Sequence, residues 1–137
     1  MGVATVRLQV STRGNGAVID LTQQVDEAVK KAQLRDGIAI VFVPGSTAGV
    51  TTAEFEPGVA RDLSTALRRL IPPDGDYWHN RIDDNGHAHV QAALLGPSVT
   101  VPFSDHTLGL GTWQQIVLVD FDTRARQREV ICQIIGE

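Results

Sequence analysis

The sequence predicts a single α+β domain, and three observations lead there. A chain of 137 residues suits one domain, spanning 1–137, and leaves little room for a second. A hydrophobic share of 42% is enough for a real core and rules out wholesale disorder. Several Val-, Ile- and Thr-rich strand patterns alternate with two or three helical patterns, with no linker, repeat or low-complexity stretch between them.

Each element follows from local chemistry. Val3 through Val10 alternates with a period near two and reads as a strand. Arg13-Gly14-Asn15-Gly16 is a turn, because Gly and Asn adopt positive φ cheaply. Asp20 then reads as a helix N-cap, with Gln23 completing a capping box. Leu21, Val25, Ala28, Val29 and Ala32 follow at helical spacing, and Asp36-Gly37 stops the helix. Ile38 to Val43 is apolar on both faces, so it is expected to be a central strand covered on both sides. After the small-residue loop Pro44–Gly49, a short strand runs through Val50, Thr52 and Glu54. Pro57 suits a first helical turn, and Val59, Leu63, Ala66, Leu67 and Leu70 form one apolar stripe. A short helix from near Asn85 to Leu95 ends at Gly96-Pro97. Val99–Phe103, Gln115–Phe121 and Arg126–Ile135 read as strands, the last two paired through an Asp122-Thr123-Arg124 turn. So many strands in a short chain leave edges exposed, which favours oligomerisation.

Composition narrows the function. Lys and Arg number 12 against 16 Asp and Glu, and a net charge of −4 argues against a non-specific nucleic-acid binder. The longest apolar run, Ile38–Val43, falls far short of the roughly 20 residues of a membrane-spanning helix. No secretory leader can be drawn between Arg7 and Arg13, so a cytoplasmic protein is expected. A lone Cys132 allows neither an intrachain disulfide nor a multi-cysteine zinc site, and in an apolar strand it reads as core.

Four stretches can carry chemistry. Tyr77 to His89 gathers three histidines with Asp83 and Asp84, residue types that bind divalent metals or act as acid and base. On a helix capped at Asn85, His87 and His89 lie about 200° apart, so one of them works with His79 and the Asp pair while the other points away. Asp-Asp-Asn-Gly is equally good turn-and-cap composition. Gly45-Ser46-Thr47-Ala48-Gly49 offers backbone N–H groups and two hydroxyls to a phosphate, or is simply a tight connection between strands. Glu54 and Glu56 would either turn toward that loop or lie in solvent beside the next helix N-terminus. Around Gly109–Gln114, glycines beside Trp113 and Gln114 suggest close backbone approach or a structural Trp, and the alternating Arg124, Arg126 and Arg128 suit a solvated edge more than a phosphate or an acidic neighbour.

In combination these residues carry a resemblance. Val43-Pro44-Gly45-Ser46-Thr47-Ala48-Gly49-Val50-Thr51-Thr52-Ala53-Glu54, the stretch from His79 through Asp83-Asp84 to His89, Ala93-Leu94-Leu95-Gly96-Pro97-Ser98 and Leu110-Gly111-Thr112-Trp113-Gln114 occur in the order seen in the YjbQ family. That family is also called UPF0047, or secondary thiamine-phosphate synthase enzyme. The chain resembles it over about residues 40–135, most specifically at Gly-Thr-Trp-Gln. The resemblance implies a YjbQ-like sandwich of mainly antiparallel strands with two to three helices, assembled as a homotrimer. It also implies weak thiamine-phosphate synthase activity, joining a pyrimidine diphosphate to a thiazole phosphate with release of pyrophosphate. Carried over by position, the matching polar residues are Ser46, Thr47, Glu54, His79, Asp83, Asp84, His89, Thr112, Trp113 and Gln114, whereas His87 has no consistent counterpart. Many members have a His where this chain has Gly45, and a Gly where it has His106.

The expected site follows. Glu54, His79 and His89 are the catalytic candidates; Ser46, Thr47, Thr112, Trp113 and Gln114 are the candidates for a small phosphorylated ligand. His79, Asp84 and His89 would hold a divalent metal, Zn or Mg, that neutralises a leaving pyrophosphate. The competing readings are a non-catalytic trimer that binds a metal or phosphate ligand, and a metal-dependent hydrolase with Glu54 as base.

Overall fold

The computed structural model describes residues 1–137. The strands are β1 (Gly2–Thr12), β2 (Ala17–Asp20), β3 (Gly37–Phe42), β4 (Ala48–Ala53), β5 (Ser98–Ser104), β6 (Thr107–Leu108), β7 (Gln115–Asp120) and β8 (Arg126–Gly136). The helices are α1 (Thr22–Lys31), α2 (Pro57–Leu70) and α3 (Gly86–Leu95), with a 3-10 turn at Trp78–Arg81. Two antiparallel sheets form: sheet A in the order β1-β8-β3-β5-β6 and sheet B in the order β2-β7-β4. The α+β expectation therefore holds.

Alternation along the strands explains the layers. Leu8 and Val10 of β1, Ala39 and Val41 of β3, Val130, Cys132 and Ile134 of β8 point inward and meet Val50, Ile116 and Leu118 of sheet B. Helix α1 closes this core with Leu21, Val25, Ala28 and Val29. The opposite face of sheet B buries Val117, Val119 and Phe121 under Leu67 of α2 and Ala88 and Ala92 of α3. The layers run sheet A, sheet B, helices.

The Arg13–Gly16 turn forms as expected, with φ of 72°, 56° and 85° at Gly14, Asn15 and Gly16. It leads into β2, a short strand that the sequence reading did not predict. Asp20 ends that strand, yet its carboxylate still accepts from the Thr22 N–H at 2.9 Å; Gln23 donates to Glu27 instead of closing a capping box. Helix α1 stops at Lys31, before the expected Asp36-Gly37 signal. Gly37 serves a different purpose: a Cβ there would lie 2.0 Å from the Ile135 carbonyl oxygen, where β3 and β8 run together. Helix α3 ends at Gly96 with φ of 93°, as predicted.

Three expectations need correction. Strand β3 is central, but Ile38 and Phe42 on its outer face remain exposed in the single chain. On α2 only Leu67 is buried, and Leu70 is open to solvent. The strands β7 and β8 do not form a hairpin. Both edges of β7 are occupied by β2 and β4, so the Phe121–Ala125 turn carries the chain from sheet B to sheet A. No helix is long and apolar enough to cross a membrane.

Candidate functional site

The turn between β7 and β8 organises a polar centre inside the fold. Asp120 and Asp122 sit on either side of Phe121, and both are buried. Arg128, on the inward face of β8, donates from Nε and Nη2 to the Asp120 carboxylate at 2.8 and 3.0 Å and from Nη2 to Thr47 Oγ1 at 2.7 Å. Thr47 Oγ1 donates onward to Asp122 Oδ2 at 3.1 Å, where Arg126 Nε also donates at 2.9 Å. Thr12 Oγ1 donates to Asp120 Oδ2 at 2.7 Å. Burial pushes the Asp122 carboxyl up, but donors at Thr123 N–H, Asn85, Arg126 and Thr47 outweigh it and hold the group at about 2. Its hydrogen bonds to Asp120, with that carboxylate's charge, outweigh burial and raise Arg128 above its ordinary value. Arg128 is 11% exposed, so the expected solvated edge is wrong there: it meets the acidic neighbour instead.

From this centre a relay leads outward. Asn85 Nδ2 donates to Asp122 Oδ1 at 3.3 Å, which leaves the amide oxygen as the acceptor facing His79 Nε2 at 3.2 Å. His79 therefore carries its proton on Nε2 and keeps a lone pair on Nδ1 in the neutral ring. Its ring meets His89 edge to face, with centroids 4.4 Å apart. Asn85 precedes α3 without capping it by its side chain, because that side chain belongs to the relay. His89 lines a cavity of about 240 Å³ with Gly45, Ser46, Ala48, Ala92, Ala93 and Pro97. A Cβ on Gly45 would come within 3.1 Å of Arg128 Nη1, so the guanidinium reaches the rim of this cavity where the chain has no side chain.

The helical geometry separated His87 from His89 correctly. His87 faces Tyr77 at a centroid distance of 6.5 Å and lines a different cavity with Asp84, Arg68 and Gln91. Asp84 accepts from Thr123 Oγ1 at 3.3 Å, on that His87 side. The Asp83 carboxyl is held below its ordinary value first by the Asp84 N–H, and further by the Asp84 side chain, Arg124 and His79. No group of three His, Cys, Asp or Glu side chains converges in the chain. The trio His79, Asp84 and His89 is thus not assembled, and two imidazoles fall short of the usual three or four protein ligands of zinc. The residues of one chain do not fit a resident metal.

The remaining expected site residues divide between two ends of sheet B. Thr47 adjoins the Ala48↔Asp120 end, whereas Glu54 follows Ala53, which pairs with Gln115. Five strand steps, about 17 Å, separate these ends. Glu54 is exposed there and does not turn toward the Ser46 loop; Glu56 caps α2 instead, accepting from Gly58 and Val59 N–H at 2.5 and 3.1 Å. Thr112, Trp113 and Gln114 share the Glu54 end, with Gln114 Nε2 donating to Thr52 at 3.0 Å and Trp113 71% exposed. Of the two loop hydroxyls, Thr47 is consumed by Asp122 and Arg128, so Ser46 alone is open. His106 lies in the β5–β6 turn, where its backbone N–H donates to the Arg35 carbonyl at 2.9 Å. The sequence reading missed Asp120, Asp122 and Asn85 as site residues; the usable signal was Asp-Phe-Asp at the end of an apolar strand, two carboxylates on one face that no core tolerates without cations.

The comparisons agree with this architecture. The family described as UPF0047 protein, YjbQ-like, matches residues 6–137. A UPF0047 protein of Archaeoglobus fulgidus is 36% identical over 126 residues, covering 92% of this chain and 98% of that protein. One of Mycobacterium tuberculosis is 42% identical over 115 residues, covering 82% and 84%. Among solved structures, a hypothetical protein of Aeropyrum pernix superposes with a TM-score of 0.93 at 35% identity, covering 98% of this chain and 99% of that one. A YbjQ-like protein of unknown function from Sulfolobus solfataricus gives 0.91 at 33% identity, covering 99% and 100%. With its sequence matched from β1 to the last residue and its fold matched throughout, the chain belongs to the YjbQ/UPF0047 family.

Proposed function

We propose that the chain binds a small phosphorylated molecule in the cavity beside Ser46 and His89, and that its chemistry is a thiamine-phosphate synthase-type transfer. In such a transfer the thiazole nitrogen forms a bond to the pyrimidine methylene carbon as the bond from that carbon to pyrophosphate breaks. The reaction needs charge neutralisation on the departing pyrophosphate more than a protein nucleophile. The observation that carries the reading is a cavity lined by Ser46 and His89 whose Gly45 wall lies against the Arg128 guanidinium. His79, oriented by Asn85 and Asp122, stands behind His89 and can accept or return a proton through Nδ1. Glu54 has no part in this site within one chain, and that weakens the hydrolase reading.

The same reading takes the protein to be a homotrimer. Val3, Ile38 and Phe42 leave an apolar strip exposed on the outer face of sheet A, which a second copy would cover. A neighbouring copy is also the means by which Thr112, Trp113 and Gln114 could join the cavity. The test is a pyrophosphate-release assay with the pyrimidine diphosphate and thiazole phosphate, separately and together, without and with added Mg²⁺ or Zn²⁺. Release only with both substrates, lost in His89→Ala, is expected. Release from the diphosphate alone would establish a hydrolase. Ligand-dependent thermal stabilisation without any release would leave a binding module.

A further inference from the structure

A second cavity, of about 380 Å³, opens between the Arg13–Gly16 turn, the end of α2, the start of α3 and the β7–β8 turn. Its walls carry charges that are not spent on each other. Arg68 is anchored by an Nη2 donation to the Asn15 carbonyl at 2.9 Å and makes no salt bridge. Asp84 accepts only from the Thr123 hydroxyl and is likewise without a cation. Both line the same cavity, and they stay further apart than ion-pair distance. His87, 6% exposed, lines the same cavity, although its Nδ1 is buried without a hydrogen-bond partner and does not reach the open space. An unpaired cation and an unpaired anion share one recess, and a single ligand that carries both opposite charges would engage them against the His87 ring.

We propose that this cavity is a second ligand site, separate from the Ser46/His89 cavity, that takes a small zwitterion: a carboxylate or phosphate on Arg68 and an ammonium on Asp84, against the His87 ring. The planar fork of free Arg68 N–H groups suits two oxygens of either anion. Ser64 and Thr123 add hydroxyls to the walls. The site does not depend on the reading of the first cavity, since none of its lining residues is shared with it.

The test follows the His87 imidazole by NMR during titrations of the whole protein with phosphoethanolamine, β-alanine and methyl phosphate. Phosphoethanolamine or β-alanine is expected to shift the His87 signals, the stronger of the two revealing which anion the site prefers. Methyl phosphate, which lacks the ammonium, is expected to bind about tenfold more weakly than phosphoethanolamine. Arg68→Gln and Asp84→Asn, both at solvent-facing side chains, should each weaken the zwitterion by about tenfold or more, while His89→Ala leaves it unchanged. Equal binding of methyl phosphate and phosphoethanolamine, insensitivity to Asp84→Asn, or His87 signals unmoved by both zwitterions would overturn the proposal.

Discussion

Asp120 and Asp122 are the residues on which the polar centre depends. Arg128 is nearly enclosed and donates from Nε and Nη2 to Asp120 and Thr47. Asp120→Ala would leave it a buried charge without its partner, a change that typically costs about 3–5 kcal/mol. Thermal and denaturant unfolding of that variant should show the loss, and an unfolding midpoint equal to that of the wild type would mean Arg128 escapes to solvent. Asp122 sets an acid limit. Its carboxyl titrates at about 2 in the fold against an ordinary value near 3.8, so its contribution is complete above pH 4 and is lost as the pH falls toward 2. On the order of 2 kcal/mol is at stake. In Asp122→Asn the stability curve should be flatter between pH 4 and 2, and an unaltered acid limb would show that other carboxylates govern acid unfolding. Cys132 makes the opposite case: burial pushes its thiol up to about 11, so a thiol reagent at pH 8 should label only unfolded protein.

Elements decide which of these residues can meet. The sequence made α3 legible, with its start near Asn85 and its stop at Gly96, and with that the separation of His87 from His89. It also made Cys132 legible as core and Glu56 as a residue at a helix start. The fate of β7 was not legible, because hairpin or crossover depends on whether partners already occupy its edges, and that is a property of the whole sheet. Once β8 joins sheet A, its alternation turns Arg128 inward, where an isolated strand would have shown it to water. The same non-local logic split the expected site: Thr47 and Glu54 are close in sequence, but an intervening extended strand holds them at opposite ends of sheet B. The cap on α2 can be tested by itself. Glu56→Ala removes the acceptor for two N–H groups and should cost about 1 kcal/mol of stability without changing ligand binding. A loss of ligand binding in the folded variant would bring this end of the sheet back into the site.

At the scale of the whole molecule, a single chain leaves two things unfinished. One face of sheet A keeps Val3, Ile38 and Phe42 in water, and the Trp113 loop projects from the end of sheet B with little to pack on. The proposed trimer would cover both. If it forms through this face, Phe42→Asp dissociates it, read as a drop in mass by light scattering, and an unchanged mass would place the interface elsewhere. Binding in the cavity beside Ser46 and His89 is read by following all four imidazoles by ¹⁵N NMR as pyrophosphate is added. His89 and His79 are expected to shift together and saturate while His106 does not move, and Ser46→Ala and His89→Ala should each weaken binding. Saturating shifts confined to His87 or His106, or none at any of the four, would contradict binding in that cavity.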